Sequence, residues 1–363
     1  MSERFLRVPP DRLRAQIEAV LTAWGMPAAP AAEAAEVMVR TDLMGVDSHG
    51  VSMLIMYDEM QAAGRLRLDA EPRVERETAV TALIDAGAGL GHPVSRLAAD
   101  MAAEKAAAAG AAAVSVRNSH HHGALGWYAR RMAERGLIGI VASTTSLATA
   151  TPAEGVERLL GTNPFAFAAP AGKHPPLVLD MSTSVVAANK VKAYALKGDP
   201  LPPGWVVDED GRPLTDSARA YELLFKGALG GLSPIGGAGT AAGGHKGTGL
   251  AIFAQILAGS LGGASFTPTR SRAPDAPHDI GHLFLALDPA AFREPEAFRA
   301  DVDVVIDTLR ASRPADPARP VLLPGDPERV AEAERGRLGV PAPPALMEKL
   351  RDIVDRAGAP WLL

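Results

Sequence analysis

The chain has 363 residues, 47% apolar and 22% charged, with a formal net charge of −5 and a pI near 6.0. That length and composition suit a folded chain with a large core, and the mild acidity argues against nucleic acid and membrane surfaces as partners. There is no cysteine, which removes disulfides, thiolate nucleophiles and thiolate metal sites together. Met1 to Arg7 is charged and lacks an apolar signal core, and no apolar run reaches membrane-spanning length, so a cytoplasmic location is expected.

Pro9-Pro10-Asp11 opens a helix with Leu13, Ile17, Val20, Leu21 and Trp24 on one face, ended by Gly25. A second helix is expected from Ala31 to Met44 and a third from Val51 to Ala63, with the polar loop Val46-Asp47-Ser48-His49-Gly50 between them. Residues 1–75 therefore read as a helical amino-terminal subdomain. Val80 to Ala86 reads as a strand, Pro93 to Ala109 as a helix and Ala111 to Val116 as a buried strand. Leu125 to Glu134 is a helix with Gly136 as its stop, followed by a strand from Leu137 to Ser143. Short strands are expected at Phe165 to Ala169 and Leu177 to Leu179, the second running into Asp180-Met181-Ser182-Thr183. A helix over Val185 to Leu196 precedes a turn-rich excursion with a hairpin signal at Asp210-Gly211. The glycine-rich loop Ser233 to Gly247 leads into a helix from Thr248 to Leu261, then a strand from Ile280 to Leu287. Helices near Glu294 to Ser312 and Ala345 to Arg356 flank Leu322-Leu323-Pro324-Gly325-Asp326. Alternating strands and helices give an α/β class, with the core over 76–312 and carboxy-terminal helices of 313–363 packing near the amino-terminal subdomain.

The stretch with most chemistry is Arg117-Asn118-Ser119-His120-His121-His122-Gly123-Ala124. It reads as a polar turn from a strand end to a helix start, where free N–H groups and a positive dipole end collect ligands. Three consecutive imidazoles cannot all point one way, so at least one should face a cleft. Gly237-Ala238-Gly239-Thr240-Ala241-Ala242 matches a dinucleotide fingerprint in spacing only, because Leu232 to Ile235 is a poor strand. Ser48 fails the hydrolase-elbow pattern at Val46 and reads equally as a helix cap. His49, between a polar loop and a helix start, is the better functional candidate. The adjacent histidines 120–122 offer poor geometry for one metal ion, and His278 and His282 share no helical face, so no metal site is expected. Lys246, set in glycines before an apolar helix, reads either as a solvated lysine or as a cation near phosphate.

Taken together, Asp47-Ser48-His49-Gly50-Val51, Arg117-Asn118-Ser119 with His121 and Gly123-Ala124, and Leu160-Gly161-Thr162-Asn163-Pro164 are similar to blocks of a known family. Asp180-Met181-Ser182-Thr183-Ser184, Pro203-Gly204-Trp205, Gly244 with Lys246-Gly247, Gly281-His282 and Pro324-Gly325-Asp326 continue the match nearly end to end. The chain resembles the malate/L-lactate dehydrogenase family, which lacks a Rossmann domain. The resemblance implies a non-Rossmann α/β fold with a mixed sheet, NAD or NADP as cofactor, and hydride transfer at a carbon beside a carboxylate. It implies His49 as general acid/base, Ser48 and Tyr57 as orienting groups, and Lys190 beside the reacting oxygen. The cofactor would lie along His121, His122, Gly123, Ala124 and Leu125, with Ser146, Asp180, Met181, Ser182, Lys246, Gly325 and Asp326; Thr162 and Met53 would face a small-molecule substrate. The resemblance also implies a homodimer with the site near the subunit interface. Met53 stands where the family often has an arginine that clamps a carboxylate, His245 replaces a usual tyrosine and His122 a usual phenylalanine. The expected reaction interconverts a small 2-oxo acid and its 2-hydroxy acid. The alternatives are a cyclic imino-acid reductase, a metal-dependent hydrolase or lyase built on the histidines, and a non-catalytic small-molecule binder.

Overall fold

The structure, a computed structural model, describes residues 6–271, 273 and 275–363. Its elements are β1 (Leu6–Val8), α1 (Pro10–Ala23), α2 (Ala28–Leu43), a 3-10 turn (Val51–Met53), α3 (Leu54–Ala62), β2 (Arg73–Glu77) and β3 (Thr81–Asp85). They continue as α4 (Gly91–Ala109), β4 (Ala111–Ser119), α5 (Leu125–Glu134), β5 (Ile138–Ser143), β6 (Phe165–Ala169), β7 (Leu177–Met181) and α6 (Ala188–Lys197). Then come β8 (Val206–Val207), α7 (Ser217–Lys226), β9 (Gly231–Leu232), α8 (Gly244–Ala254) with a π-helical continuation (Gln255–Ser260), and β10 (Ile280–Leu287). The chain closes with α9 (Pro295–Arg310), α10 (Asp326–Leu338), β11 (Val340–Ala342) and α11 (Pro344–Ala357).

Seven strands form one mixed sheet in the order β2-β3-β4-β10-β5-β6-β7. Only β3 and β4 run parallel in it; the other neighbours are antiparallel. The apolar runs of β4 and β5 are separated in space by β10, which pairs with both. Helices α4 and α5 cover one face. Ala98, Ala99, Ala102 and Ala106 of α4 share a core with Ile84, Val114, Val116, Tyr128, Met132 and Phe284. Alanine keeps good helix propensity while its short side chain lets α4 lie close on the sheet. On the other face Ala254 and Ala258 meet Ala142 and Leu283, and a Cβ at Gly281 would overlap the Ala258 carbonyl.

A second core joins the two ends of the chain. Leu13, Ile17, Leu21, Met38, Leu54 and Tyr57 pack with Leu350, Ile353 and Val354 of α11, and β1 pairs with β11. A third cluster, including Val191, Val206, Leu223, Leu224 and Leu232, surrounds α6, α7 and the β8–β9 pair.

The structure departs from the sequence expectations at several points. Arg117, Asn118 and Ser119 belong to β4, not to a turn; Arg117 is held there by Glu75 (2.9 Å) and Asp85 (3.4 Å). The second helix starts at Ala28, and the helix expected from Val185 starts at Ala188. The helix expected from Thr248 begins at Gly244, so Lys246 sits in its first turn rather than in a loop. The glycines mask that start because their helix propensity is low. The short strands β1, β8, β9 and β11 lie outside the expectations, as do three longer elements. β2 is an almost wholly charged edge strand with a bulge between Val74 and Arg76, so it shows no alternation. α10 buries no residue and carries no apolar stripe. α7 does carry a local signal, since Asp216 caps it by accepting the Arg219 N–H at 3.0 Å.

Candidate active site

The loop between α2 and the 3-10 turn is held from two sides. Asp42 lies in the buried stripe of α2, and its Oδ2 accepts the Val51 N–H at 2.8 Å. A Cβ at Gly50 would overlap the Asp42 carboxyl. Burial pushes the Asp42 carboxyl up to about 8; Asp47 adds to the shift, while the Val51 bond and Arg335 oppose it. From α10, Arg335 donates to the Asp42 carbonyl at 2.6 Å and pairs with the Asp47 carboxylate. Asp42 is buried and Arg335 is mostly covered, but Asp47 is 57% exposed, so the part-buried bond to the Asp42 carbonyl is the inner half of this tether and the Arg335–Asp47 pair its surface half.

That tether sets His49 in the wall of a cleft of about 2160 Å3. The volume is roughly twice the upper end of a usual small-ligand pocket, enough for a dinucleotide and a second small molecule. Ser48 Oγ lies 2.7 Å from His49 Nδ1, and Ser48 caps no helix. The bond occupies Nδ1 and leaves Nε2 for a ligand. Desolvation lowers the imidazole to about 4, so His49 is neutral at pH 7.

His121 faces His49 with ring centroids 5.2 Å apart. Tyr57 OH lies 2.6 Å from His121 Nδ1. Burial raises the Tyr57 phenol well above 10, so the hydroxyl keeps its proton; His121 Nδ1 is its one hydrogen-bond partner among the described residues, and donation to it places the imidazole hydrogen of His121 on Nε2. That Nε2 is buried without a partner among the described residues. Tyr57 thus acts on His121 directly, not on His49. His122 stacks on His282 at 3.9 Å and meets Ser95 Oγ through Nδ1 at 2.9 Å. His120 turns away from the cleft and packs on His278 at 5.0 Å.

Helix α5 starts at this turn. The Gly126 N–H donates to Asp180 Oδ2 at 2.7 Å, and desolvation raises the Asp180 carboxyl to about 6. The Cβ of an alanine at 126 would come within 2.9 Å of Asp180 Cβ. The carbonyl of Ser146 is pinned by Arg270 Nη1 at 3.1 Å, and that of Thr162 by the Thr183 hydroxyl at 2.9 Å. Lys190 rests its ammonium 5.1 Å above the Trp205 ring.

Of the residues singled out by sequence, Ser48, His49, Met53, His121, His122, Gly123, Ala124 and Leu125 line the cleft. So do Ser146, Thr162, Asp180, Met181, Ser182, Lys190 and Gly325. Tyr57 stands behind His121. Asp326 lies beside the cleft but is engaged by Arg310 at 2.7 Å and by Arg329. Lys246 is exposed on α8 and does not reach the cleft of its own chain. Among the described residues, no three His, Asp or Glu side chains converge to hold a metal ion. Sequence reasoning misses Asp42 and Arg335. Asp42 has a signal, a carboxylate in register with Ala31, Ala35 and Met38 on one helix face; Arg335, 288 residues from Asp47, has none.

The cleft suits a nicotinamide dinucleotide. It presents the amino end of α5, an orphaned polar nitrogen on His121, and glycines at 123 and 126 whose added Cβ atoms would crowd their neighbours. The fold matches those of solved oxidoreductases. A malate dehydrogenase structure from Entamoeba histolytica aligns with TM-score 0.93 at 27% identity, covering 98% of this chain and 99% of that one. The Δ1-piperideine-2-carboxylate reductase of Pseudomonas syringae aligns with TM-score 0.82 at 27% identity, over 96% and 99%. The malate dehydrogenase of Pyrococcus horikoshii is 37% identical over 100% of this chain and 98% of its own. The NADP-dependent (2R)-3-sulfolactate dehydrogenase of Chromohalobacter salexigens is 33% identical over 92% and 93%. The family described as malate/L-lactate dehydrogenase matches residues 8–351, and the chain belongs to it. Its dehydrogenases are oxidoreductases of 2-hydroxy acids that use NAD or NADP.

Proposed function

We propose that this protein interconverts a small 2-oxo acid and its 2-hydroxy acid, with His49 as the general acid/base. The observation that carries the reading is the His49 geometry: Nδ1 tied to Ser48, Nε2 left for a ligand, and the ring neutral in the wall of the cleft. A nicotinamide bound in the cleft supplies or takes the hydride at the substrate carbon. In oxidation, neutral His49 Nε2 takes the hydroxyl proton; in reduction, the protonated ring returns it to the carbonyl oxygen. Ser48 fixes the ring. Lys190 offers one cation to the reacting oxygen or its carboxylate. Tyr57 orients His121, whose Nε2–H presents a donor to the cofactor. The strand ends at Ser146 and Asp180 to Ser182, with His122 to Leu125 and Gly325, form the rest of the cofactor wall; Thr162 and Met53 face the substrate.

Reduction of a cyclic imine is the second reading, supported by the likeness to the piperideine-2-carboxylate reductase. A homodimer belongs to the same proposal. Its support is the apolar exposed row Leu250, Ile252, Phe253, Ile256 and Leu261 on α8 and its continuation. A cytoplasmic site of action, in keeping with a cysteine-free chain, completes it. No helix among the described residues is long and apolar enough to cross a membrane.

His49→Ala should lower kcat by about 10²- to 10⁴-fold while leaving the Kd for the reduced cofactor, read by fluorescence titration, within a few-fold of wild type. Retention of most of the activity would remove His49 from its role.

A further inference from the structure

The cleft next to His49 has an uneven chemistry. Its lining includes Met53 and Met56, from the 3-10 turn and α3, and Leu346 and Met347 of α11. These four side chains are partly buried and pack on the core that joins the chain ends. With Met44 and Met181, five of the chain's eleven methionines line this cleft. Methionine is unbranched and polarizable, so such a wall adapts to apolar groups of different shape.

The cations are distributed differently. Every arginine lining the cleft is already paired: Arg7 with Glu334 (3.1 Å), Arg130 with Glu332 (2.8 Å), Arg329 with Asp326 and Arg335 with Asp47. Among the described lining residues, three lysines, 190, 192 and 349, remain outside the ion pairs, and Lys190 sits over Trp205. Each lysine is a single point charge, and no unpaired arginine fork among the described lining residues is left to clamp a second carboxylate. Glu59 of α3, the helix that carries Met56, also lines the cleft outside the described ion pairs and repels a second anion there, whereas Asp47 is neutralised by Arg335.

We propose that the substrate is a mono-anionic 2-oxo acid whose side chain is alkyl or aromatic and packs between Met53 and Met347, and that dicarboxylic substrates are disfavoured. This rests on the reading of the cleft as a 2-oxo acid site. Its carboxylate takes the lysine charge, and its apolar arm displaces water from the methionine wall.

The test is kcat/KM of the wild-type protein, with NADH and NADPH, for pyruvate, 2-oxo-4-methylpentanoate, phenylpyruvate and oxaloacetate. The branched or aromatic acid should exceed oxaloacetate by about tenfold or more. Met53→Arg should reverse the ratio by raising oxaloacetate and lowering the apolar acid; Met347→Arg, on α11, repeats the test where the first variant folds poorly. Oxaloacetate equal to or better than the apolar acids in the wild type overturns the proposal and leaves the 2-oxo acid reading intact. Turnover of none of the four removes both.

Discussion

Replacing Asp42 by asparagine isolates one buried ionisation. The folded carboxyl has its pKa raised to about 8, while the unfolded one titrates near the ordinary value of about 3.9. Between those values the folded state holds a proton that the unfolded state has lost. The resulting stabilisation is fully present below the unfolded pKa and is lost as pH rises through the folded one, at about 1.4 kcal/mol per unit. From pH 6 to pH 9 the loss amounts to about 2.7 kcal/mol. With an unfolding entropy of about 2.1 cal/mol/K per residue over 363 residues, this is a fall of about 3.5 °C in Tm. The Asp42→Asn side chain keeps an oxygen to accept the Val51 N–H and does not titrate, so the variant's Tm escapes this component while every other titration is shared. The assay is thermal unfolding followed by circular dichroism for both proteins at pH 6 and pH 9, at one protein concentration. Parallel shifts of the two proteins would refute the assignment, because they would mean that Asp42 is ionised in the folded protein throughout. Its neighbours oppose that outcome: Asp47 repels the ionised form, and the nearby guanidinium of Arg335 is already bound to Asp47.

Tyr57→Phe removes the donor to His121 Nδ1 and leaves that nitrogen buried without a partner. A loss of about 1–3 kcal/mol is expected from the orphaned acceptor, seen as a lower Tm, together with weaker cofactor binding in a fluorescence titration. An unchanged Tm and Kd would show that a solvent molecule replaces the phenol without penalty. Phe253→Glu places a charge in the exposed apolar row of α8, where Phe253 is 47% exposed. Sedimentation equilibrium should then report a one-chain mass where the wild type gives two, and identical masses would assign that row to something other than dimerisation.

Much of the secondary structure is legible in the sequence. The helix at Leu125–Glu134 and the strands at Phe165–Ala169 and Ile280–Leu287 fall where the apolar patterns put them, because burial on one face or both imposes a local period that the sequence must carry. The misses share a cause. The charged edge strand Arg73–Glu77 buries little and the helix Asp326–Leu338 buries no residue, so no period marks them. The helix start at Gly244 is hidden by glycines that the tertiary structure selects for close approach: a Cβ at Gly244 would overlap the Gly237 carbonyl.

The sequence by itself determined the class of chemistry. A polar turn with His121 at the amino end of a helix and Ser48-His49 in a loop between helices marked a ligand site, and the resemblance of ordered blocks along the chain to the malate/L-lactate dehydrogenase family implied hydride transfer and a fold without a Rossmann domain. Only the tertiary structure decided how those pieces are held. It brought Arg335 onto the loop of His49 across 288 positions, set Tyr57 on His121 across 64, and placed Met53 and Met347 in the lining of one cleft. It also left Lys246 outside the cleft. Local sequence encodes propensity and burial period, because those act between near neighbours along the chain. Which partner satisfies a buried carboxyl or an imidazole is set by packing between distant segments, and no local pattern records it.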